Sequence, residues 1–564
     1  MADPAQLVQH HYLRPNRGAS PDSDSSSTYY FPWLHPTLSN NLLVVRLTFP
    51  YSAGRTISVT DNIGNTYAQD KKQDDTSNLF SVAFYSCPNA TAGSTLVTVT
   101  FDTTIYGVGC SLTELSGMAT SSHVDTSVGT STATDPNVAT GSMTPGTSNT
   151  LVMQTGVMTN ANTSYGINKC GNITSSGSFT MLGCSRETLM VDQCKLHASG
   201  SINPTFSCTI TVASPGQPWL TAAVAYKTNG AAGTPRPTGA VRLIRGIHGA
   251  MNDGAAAVTN PTFEFPCGGD FAAVMTCFGD GQASFNSASD TDGGTWRVPS
   301  HGSGMPQIAY SHNRTANSAR RVTMTLSTAY LMNYCLVDVS GIRTNANPIV
   351  GVATESSDTQ VFSRQDITPA PSMSPSNVGN LLLASMNEGH GPVSALTSPS
   401  GAQILNSHYI NHTDTSATDD SGDGYGWALS TSTQSHVFTW TSAVPQWPTT
   451  ITRSGTTATA SIGTVAILFY NDGDQVEIAG ATQPEYNGIF TISNVVVGTG
   501  KFDYTVSGAP ATPATGTITS CQLTAWVGVV WEFEKYPGPA LDNYRRHPKF
   551  LLRTPKPPHN DSRT

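Results

Sequence analysis

Segments in which polar and apolar residues alternate recur along the chain, among them STLVTVTF (94–101) and RRVTMTLS (320–327). A period of two sends successive side chains to opposite faces, so each such segment predicts a half-buried β-strand. The most apolar run, Leu523 to Phe533, is broken by Glu532 and is far shorter than a membrane span, so it predicts a buried strand. Clusters of Asn, Asp, Gly and Pro separate the strands, as at Asp472-Gly473, Asn487-Gly488 and Ser507-Gly508. Few stretches carry a 3.6-residue apolar period with Glu and Lys on the opposite face. The pattern predicts an all-β protein.

The same pattern occurs twice. SVTDNIGNTYAQD (58–70), LFSVAFYSC (79–87), STLVTVTF (94–101), GVGCSLTELSGMATSSHVDTSVGTS (107–131) and SMTPGTSNTLVMQTGVM (142–158) are answered in order in the second half. The counterparts are SASDTDGGTWRVPS (287–300), MPQIAYSHN (305–313), RRVTMTLS (320–327), NYCLVDVSGIRTNANPIVGVATESS (333–357) and SMSPSNVGNLLLASMNEG (372–389). In both, an Asp/Asn/Gly cluster precedes a Thr-aromatic pair, Thr66-Tyr67 and Thr295-Trp296, as expected of a tight turn feeding a strand. Ser116-Gly117 and Ser340-Gly341 each end an apolar strand at a turn. Five collinear matches predict two tandem antiparallel β-sandwich units of jelly-roll or immunoglobulin-like type.

The first copy closes with FSCTITVASPGQPWLTAAVAYK (206–227), whereas the second reaches HVFTWTSAVPQW (436–447) and resumes only at LTAWVGVVWEFEK (523–535). The strands and hairpin turns between them predict a small β domain inserted before the last strand of copy two, which gives both copies a Leu-Thr-Ala junction. In the alternative, SIGTVAILFY (461–470) is that last strand and the small domain is appended. The expected organisation is an N-terminal arm at 1–38, a first sandwich at 39–228, a linker at 229–237 and a second sandwich at 238–448 plus 523–536. The inserted domain occupies 449–522, and a Pro-rich basic arm occupies 537–564. That last segment reads either as a plain tail or as a docking arm for an acidic neighbour. In the second case its contacts would be Arg545, Arg546, Lys549, Phe550, Leu551, Leu552, Arg553 and Lys556.

Composition narrows the function. A length of 564 residues exceeds a single core and suits three or four domains. Charged residues are only 12% of the chain and the formal net charge is −9, so no overall field draws it to nucleic acid, and no membrane partner is expected. The first twenty residues hold no apolar core of seven or more residues, so a classical signal peptide is not expected. Ten cysteines are too sparse for a disulfide scaffold, and Cys170, Cys184, Cys194 and Cys208 form no C-x-x-C pair, so buried thiols are expected. Six N-x-S/T triplets, at Asn89, Asn162, Asn172, Asn313, Asn411 and Asn560, accompany no secretion signal and read as compositional.

No nucleophile elbow, phosphate loop, dinucleotide fingerprint, H-E-x-x-H or EF-hand spacing is present, and no cofactor is expected. A glycosidase needs only two carboxylates, whose separation a sequence does not display. Asp414, Asp419, Asp420 and Asp423 in HTDTSATDDSGDGYG form a candidate calcium loop, although the spacing fits no defined calcium motif and a solvated loop is the plainer reading. Trp440, Trp447 and Tyr425 are candidates for stacking on sugar, and equally for core packing. His10-His11, His408 with His412, and His547 have no ligand spacing.

The motif D-x-x-G-N-T-Y followed by x-L-x-E-x-S-G, carried in copy one by Asp61, Gly64, Asn65, Thr66, Tyr67, Glu114, Ser116 and Gly117, resembles a sandwich domain common in phage structural and bacterial surface proteins. Copy two departs from it, with Gly294, Trp296 and Asp338 at the places of Asn65, Tyr67 and Glu114. The segment at 449–522 resembles a small module of tailed-phage virion proteins through Ser454-Gly455-Thr456-Thr457-Ala458, Gly473-Asp474-Gln475-Val476, Gly480-Ala481, Glu485-Tyr486-Asn487-Gly488 and Ala514-Thr515-Gly516. These resemblances imply a non-enzymatic virion protein, a head decoration, fibre or tail component, assembled in the host cytoplasm with other virion proteins and as a homo-oligomer. A receptor-binding fibre that recognises host glycan is the alternative, and a polysaccharide hydrolase a third.

Overall fold

The computed structural model describes residues 6–13, 26–105, 107–134, 136–159, 170–176, 178–185, 190–210, 218–228, 241–251, 260, 262–264, 269–278, 284–299, 305–314, 321–327, 332–357, 372–388, 393–397, 403–410, 421–442, 447–463, 470–523 and 526–536. The protein is nearly all β. Among the described residues the only helices are two short 3-10 turns, Pro484–Tyr486 and Val497–Thr499.

The largest element is a nine-stranded sheet shared by both copies. Its spatial order is Gln307–His312, Phe271–Phe278, Met332–Ser340, Arg242–Met251, Gln6–Leu13, Gly109–Ser116, Leu42–Pro50, Phe80–Cys87 and Ala68–Asp75. Residues 6–13, assigned above to a terminal arm, are instead its middle strand. They run antiparallel to Gly109–Ser116 and parallel to Arg242–Met251. Residues 26–32 are likewise built in: Tyr29, Phe31 and Trp33 point into the first copy's core, while Tyr30 is 64% exposed. That is the alternation of a strand with one face on a core.

The two middle strands are themselves counterparts. Leu7 faces Leu115 and Gln9 faces Glu114 across a bulge, as Leu243 faces Val339 and Arg245 faces Asp338 across a bulge. The repeat therefore begins at the Gln6–Leu13 strand and not near residue 39.

Further sheets cover both faces of the central one, each over its own core. In copy one, Leu43, Val45 and Leu47 face the three-stranded sheet of Ser26–Pro32, Leu96–Ile105 and Ile57–Asp61, whereas Leu42 and Val44 face a five-stranded sheet through Leu151, Met153 and Val224. In copy two, Val274 and Leu336 pack on the three-stranded sheet of Thr262–Glu264, Arg321–Leu326 and Phe285–Asp290, and Phe271, Ala273 and Val337 on a five-stranded sheet through Leu383, Trp427 and Trp531. The sides are exchanged. Leu34 of copy one joins the core beneath copy two's five-stranded sheet, and Met190 of copy one joins the core beneath copy two's three-stranded sheet. The copies are thus related by an approximate two-fold axis lying in the sheet and running along the strands.

Trp526–Phe533 lies between Ile349–Ser357 and Leu381–Glu388, as Pro218–Lys227 lies between Val124–Thr134 and Thr150–Met158. The register aligns Trp526 with Trp219, because these face Glu388 and Met158 at the same point of matched strands. The Leu-Thr-Ala similarity at 523–525 is four residues out of step and is coincidental. Residues 447–522 intervene as two four-stranded sheets closed on their own core, which includes Ile451, Val476, Tyr486, Phe502 and Tyr504.

Candidate functional site

The Asp-Asn-Gly hairpin is a carboxylate-capped turn in both copies. Asp61 Oδ1 accepts the backbone N–H groups of Ile63 and Asn65 at 3.2 and 2.9 Å, and its Oδ2 accepts Asn65 Nδ2 at 2.7 Å and the Tyr67 hydroxyl at 3.3 Å. Asp290 repeats this with Asp292 N and Gly294 N, both at 3.0 Å, and with Trp296 Nε1 at 2.8 Å. Gly64 and Gly293 occupy the left-handed region at φ 86° and 68°, which only glycine adopts without strain. Burial would push the Asp290 carboxyl up, but the bonds from Gly294 and Trp296 and the Arg314 charge outweigh it and hold it below the usual carboxylate range.

What copy two lacks at Asn65 is supplied from elsewhere. The Arg314 guanidinium fills the space and binds Asp290 and Ser311, and a Cβ added at Gly294 would lie 1.5 Å from its Nη1. Gly294→Asn alone should cost about 1–3 kcal/mol through overpacking. Adding Arg314→Ala, which reproduces the first copy's Asn65 and Ala90, should recover most of that in thermal denaturation. A further loss in the double variant would contradict the exchange.

A buried polar seam joins the copies. Glu114 accepts Gln9 Nε2 at 2.6 Å, Asn41 Nδ2 at 2.7 Å and Leu38 N at 2.7 Å. The corresponding positions in copy two are Asp338, Arg245 and Asp270, so two neutral amides are exchanged for a cation and an anion. His35 Nε2 contacts the Leu243 carbonyl of copy two at 2.8 Å, and its ring meets Trp427 edge-on at 4.7 Å. Arg46, with no exposed surface, pairs with Asp192 at 3.2 Å and donates to Thr113 at 2.8 Å. His10 Nδ1 lies 3.0 Å from the Thr113 hydroxyl, and burial followed by the Arg46 and Arg245 charges keeps the ring neutral, well below its ordinary pKa. Gly183 leaves room for it, since a Cβ there would lie 3.0 Å from His10 Nε2.

Asp270 gives the seam a pH signature. Burial, with the Asp338 charge adding to it, pushes its carboxyl up to about 7 against the pull of the Gly341 and Ile342 N–H bonds. A carboxyl raised on folding contributes stability that is complete below its unfolded pKa near 4 and is lost as pH rises through 7. Asp270→Asn, matching Asn41, should therefore gain on the wild type from pH 4 to 7 and hold a constant advantage above that. Urea midpoints across pH check this, and a difference independent of pH would contradict it.

The second copy also carries a pocket of about 350 Å³ beside its capped hairpin, whose lining includes Asp292, Arg297, His312, Asn313, Arg314 and Thr344. Asn313 and Asn89 are counterparts, both left-handed at φ 56° and 55°. Arg297, His312 and Arg314 thus stand where copy one has Ala68, Pro88 and Ala90. Arg314 is 5% exposed, sits 5.8 Å over the Trp296 ring and lies 3.9 Å from Asp292. Arg297 is exposed and makes no ion pair among the described residues. His312 Nδ1 is buried without a hydrogen-bond partner, and burial and then Arg297 hold the ring below its ordinary pKa.

The residues singled out from sequence fall elsewhere. Asp414, Asp419 and Asp420 lie outside the described residues, as do His412, His547 and the whole set Arg545, Arg546, Lys549, Phe550, Leu551, Leu552, Arg553 and Lys556. Asp423 lies in the strand Ser421–Leu429, opposite Asn387 and His408. Among the described residues no group of three His, Cys, Asp or Glu side chains is placed to hold a metal. Tyr425 is fully buried in the second copy's core, so it does not stack on a sugar; its strand position alternates inward. His10 and His11 are buried in the seam. Cys194 and Cys208 are buried in different cores. The pocket went unread in the sequence, and its signal was the loss of Asn65's counterpart together with three basic residues absent from copy one.

Comparison with known proteins finds no match to a family model and none to a curated protein.

Proposed function

We propose that the chain is a non-enzymatic structural subunit of a tailed-phage virion, exposed on the head or tail. The observation that carries this reading is the unit at 447–522, whose sequence resembles a virion module and which closes on a core of its own between two strands of copy two. The duplicated framework fits the same role. Its copies share one sheet, and the buried charge and amide groups of the seam are spent on holding layers together, as suits a subunit that keeps its shape under load. Assembly through sheet edges, terminal segments and further copies of the chain follows from this reading. Antibody raised against the purified chain, used to label intact particles in electron microscopy, tests it. Regular labelling on the head or tail is expected, and particles that remain unlabelled while their lysate contains the chain would overturn the proposal.

A further inference from the structure

We propose that the pocket beside the second hairpin binds a single sugar residue carrying a carboxylate, with Arg297 taking the carboxylate and Asp292, Asn313 and Thr344 meeting ring hydroxyl groups. The site is independent of where the chain sits in a particle.

Three observations converge. The pocket, at about 350 Å³, lies at the small end of ligand sites, the size of one ring rather than a chain of them. Its lining mixes hydrogen-bond donors with acceptors, which suits hydroxyl groups that both give and accept. Its charges are unequally engaged. Arg314 is committed to Asp290 and Ser311 and offsets Asp292, whereas the Arg297 guanidinium, on a backbone fixed by its bridge to Tyr310, has no ion pair among the described residues and shares the pocket with the His312 imidazole. A guanidinium in that state is a fork for a carboxylate. The divergence between copies points the same way. The hairpin's own requirements are met in copy one by Asn65 with Ala68, Pro88 and Ala90, so the turn does not itself call for Arg297 or His312. Neither residue bonds to the capping carboxylate.

Isothermal titration of the full chain with glucuronate, glucose and inorganic phosphate tests the assignment. Saturable glucuronate binding is expected, with glucose and phosphate each weaker by about tenfold or more, the scale of a charge-assisted bond. Arg297→Ala, at an exposed position, should fold normally and lose glucuronate affinity by about tenfold or more. Glucose binding as tightly as glucuronate would overturn the role of the carboxylate, and phosphate doing so would reduce the pocket to an ion site. Absence of saturable binding, or an Arg297→Ala variant that binds like the wild type, would overturn the proposal altogether.

Discussion

Asp192→Ala should lower the free energy of unfolding by about 3–5 kcal/mol, because it leaves the Arg46 guanidinium charged, fully buried and without its counter-ion. The carboxylate also accepts the Thr155 hydroxyl, which after the substitution is left with the Val191 carbonyl at 3.3 Å as its acceptor. Arg46→Met with Asp192→Leu should restore most of the loss, since both desolvated charges are then gone and apolar side chains of similar length fill the layer. Thr113 keeps its bond to His10 in that background. Equilibrium unfolding in urea, followed by tryptophan fluorescence, distinguishes the cases. A single-variant loss below about 1 kcal/mol would mean that the pair behaves like an exposed one.

Removing residues 1–13 should have a larger effect. The Gln6–Leu13 strand separates Gly109–Ser116 from Arg242–Met251, and its removal leaves two facing edges without backbone partners. The fully buried side chains of Val8 and Tyr12 are removed from the interior, and Glu114 loses its bond from Gln9. The combined cost should rival the whole stability of a domain, roughly 5–15 kcal/mol. The truncated chain is expected to be aggregated, through open edges that pair with other chains. A synthetic peptide spanning residues 5–14, added during refolding, should return soluble protein by strand addition. A truncated chain that is monomeric with an unchanged urea midpoint would contradict the central role of this strand.

The sequence displays what local rules govern. The capped hairpins at Asp61 and Asp290 are legible because one carboxylate, a left-handed glycine and an aromatic residue lie within seven positions. The place of Trp526–Phe533 in its sheet is legible because copy one supplies the template. QLVQHHYL at 6–13 misleads for a physical reason. A strand between two others is expected to be apolar, yet here Gln9, His10 and His11 face Glu114, Thr113, Arg46 and Pro32, supplied from 21 to 105 positions away. Nothing within the segment reveals that its polar groups are satisfied. The pocket is hidden in the same way. Gly294 reads as an eroded motif until Arg314, twenty positions on, is seen to take over the missing side chain's bond to Asp290.

The in-plane two-fold between the copies has an evolutionary meaning. Equivalent strands lying side by side and parallel are what a half-length ancestor would present to a second molecule of itself, so the joint between copies has the form of a homodimer contact tied into one polypeptide. Once tied, the two sides were free to diverge. Gln9 and Asn41 against Arg245 and Asp270 record that asymmetry inside the joint, and Ala68 against Arg297 records it at the surface. A symmetric pair must carry every feature twice, whereas this chain carries a pocket and a module on one side only.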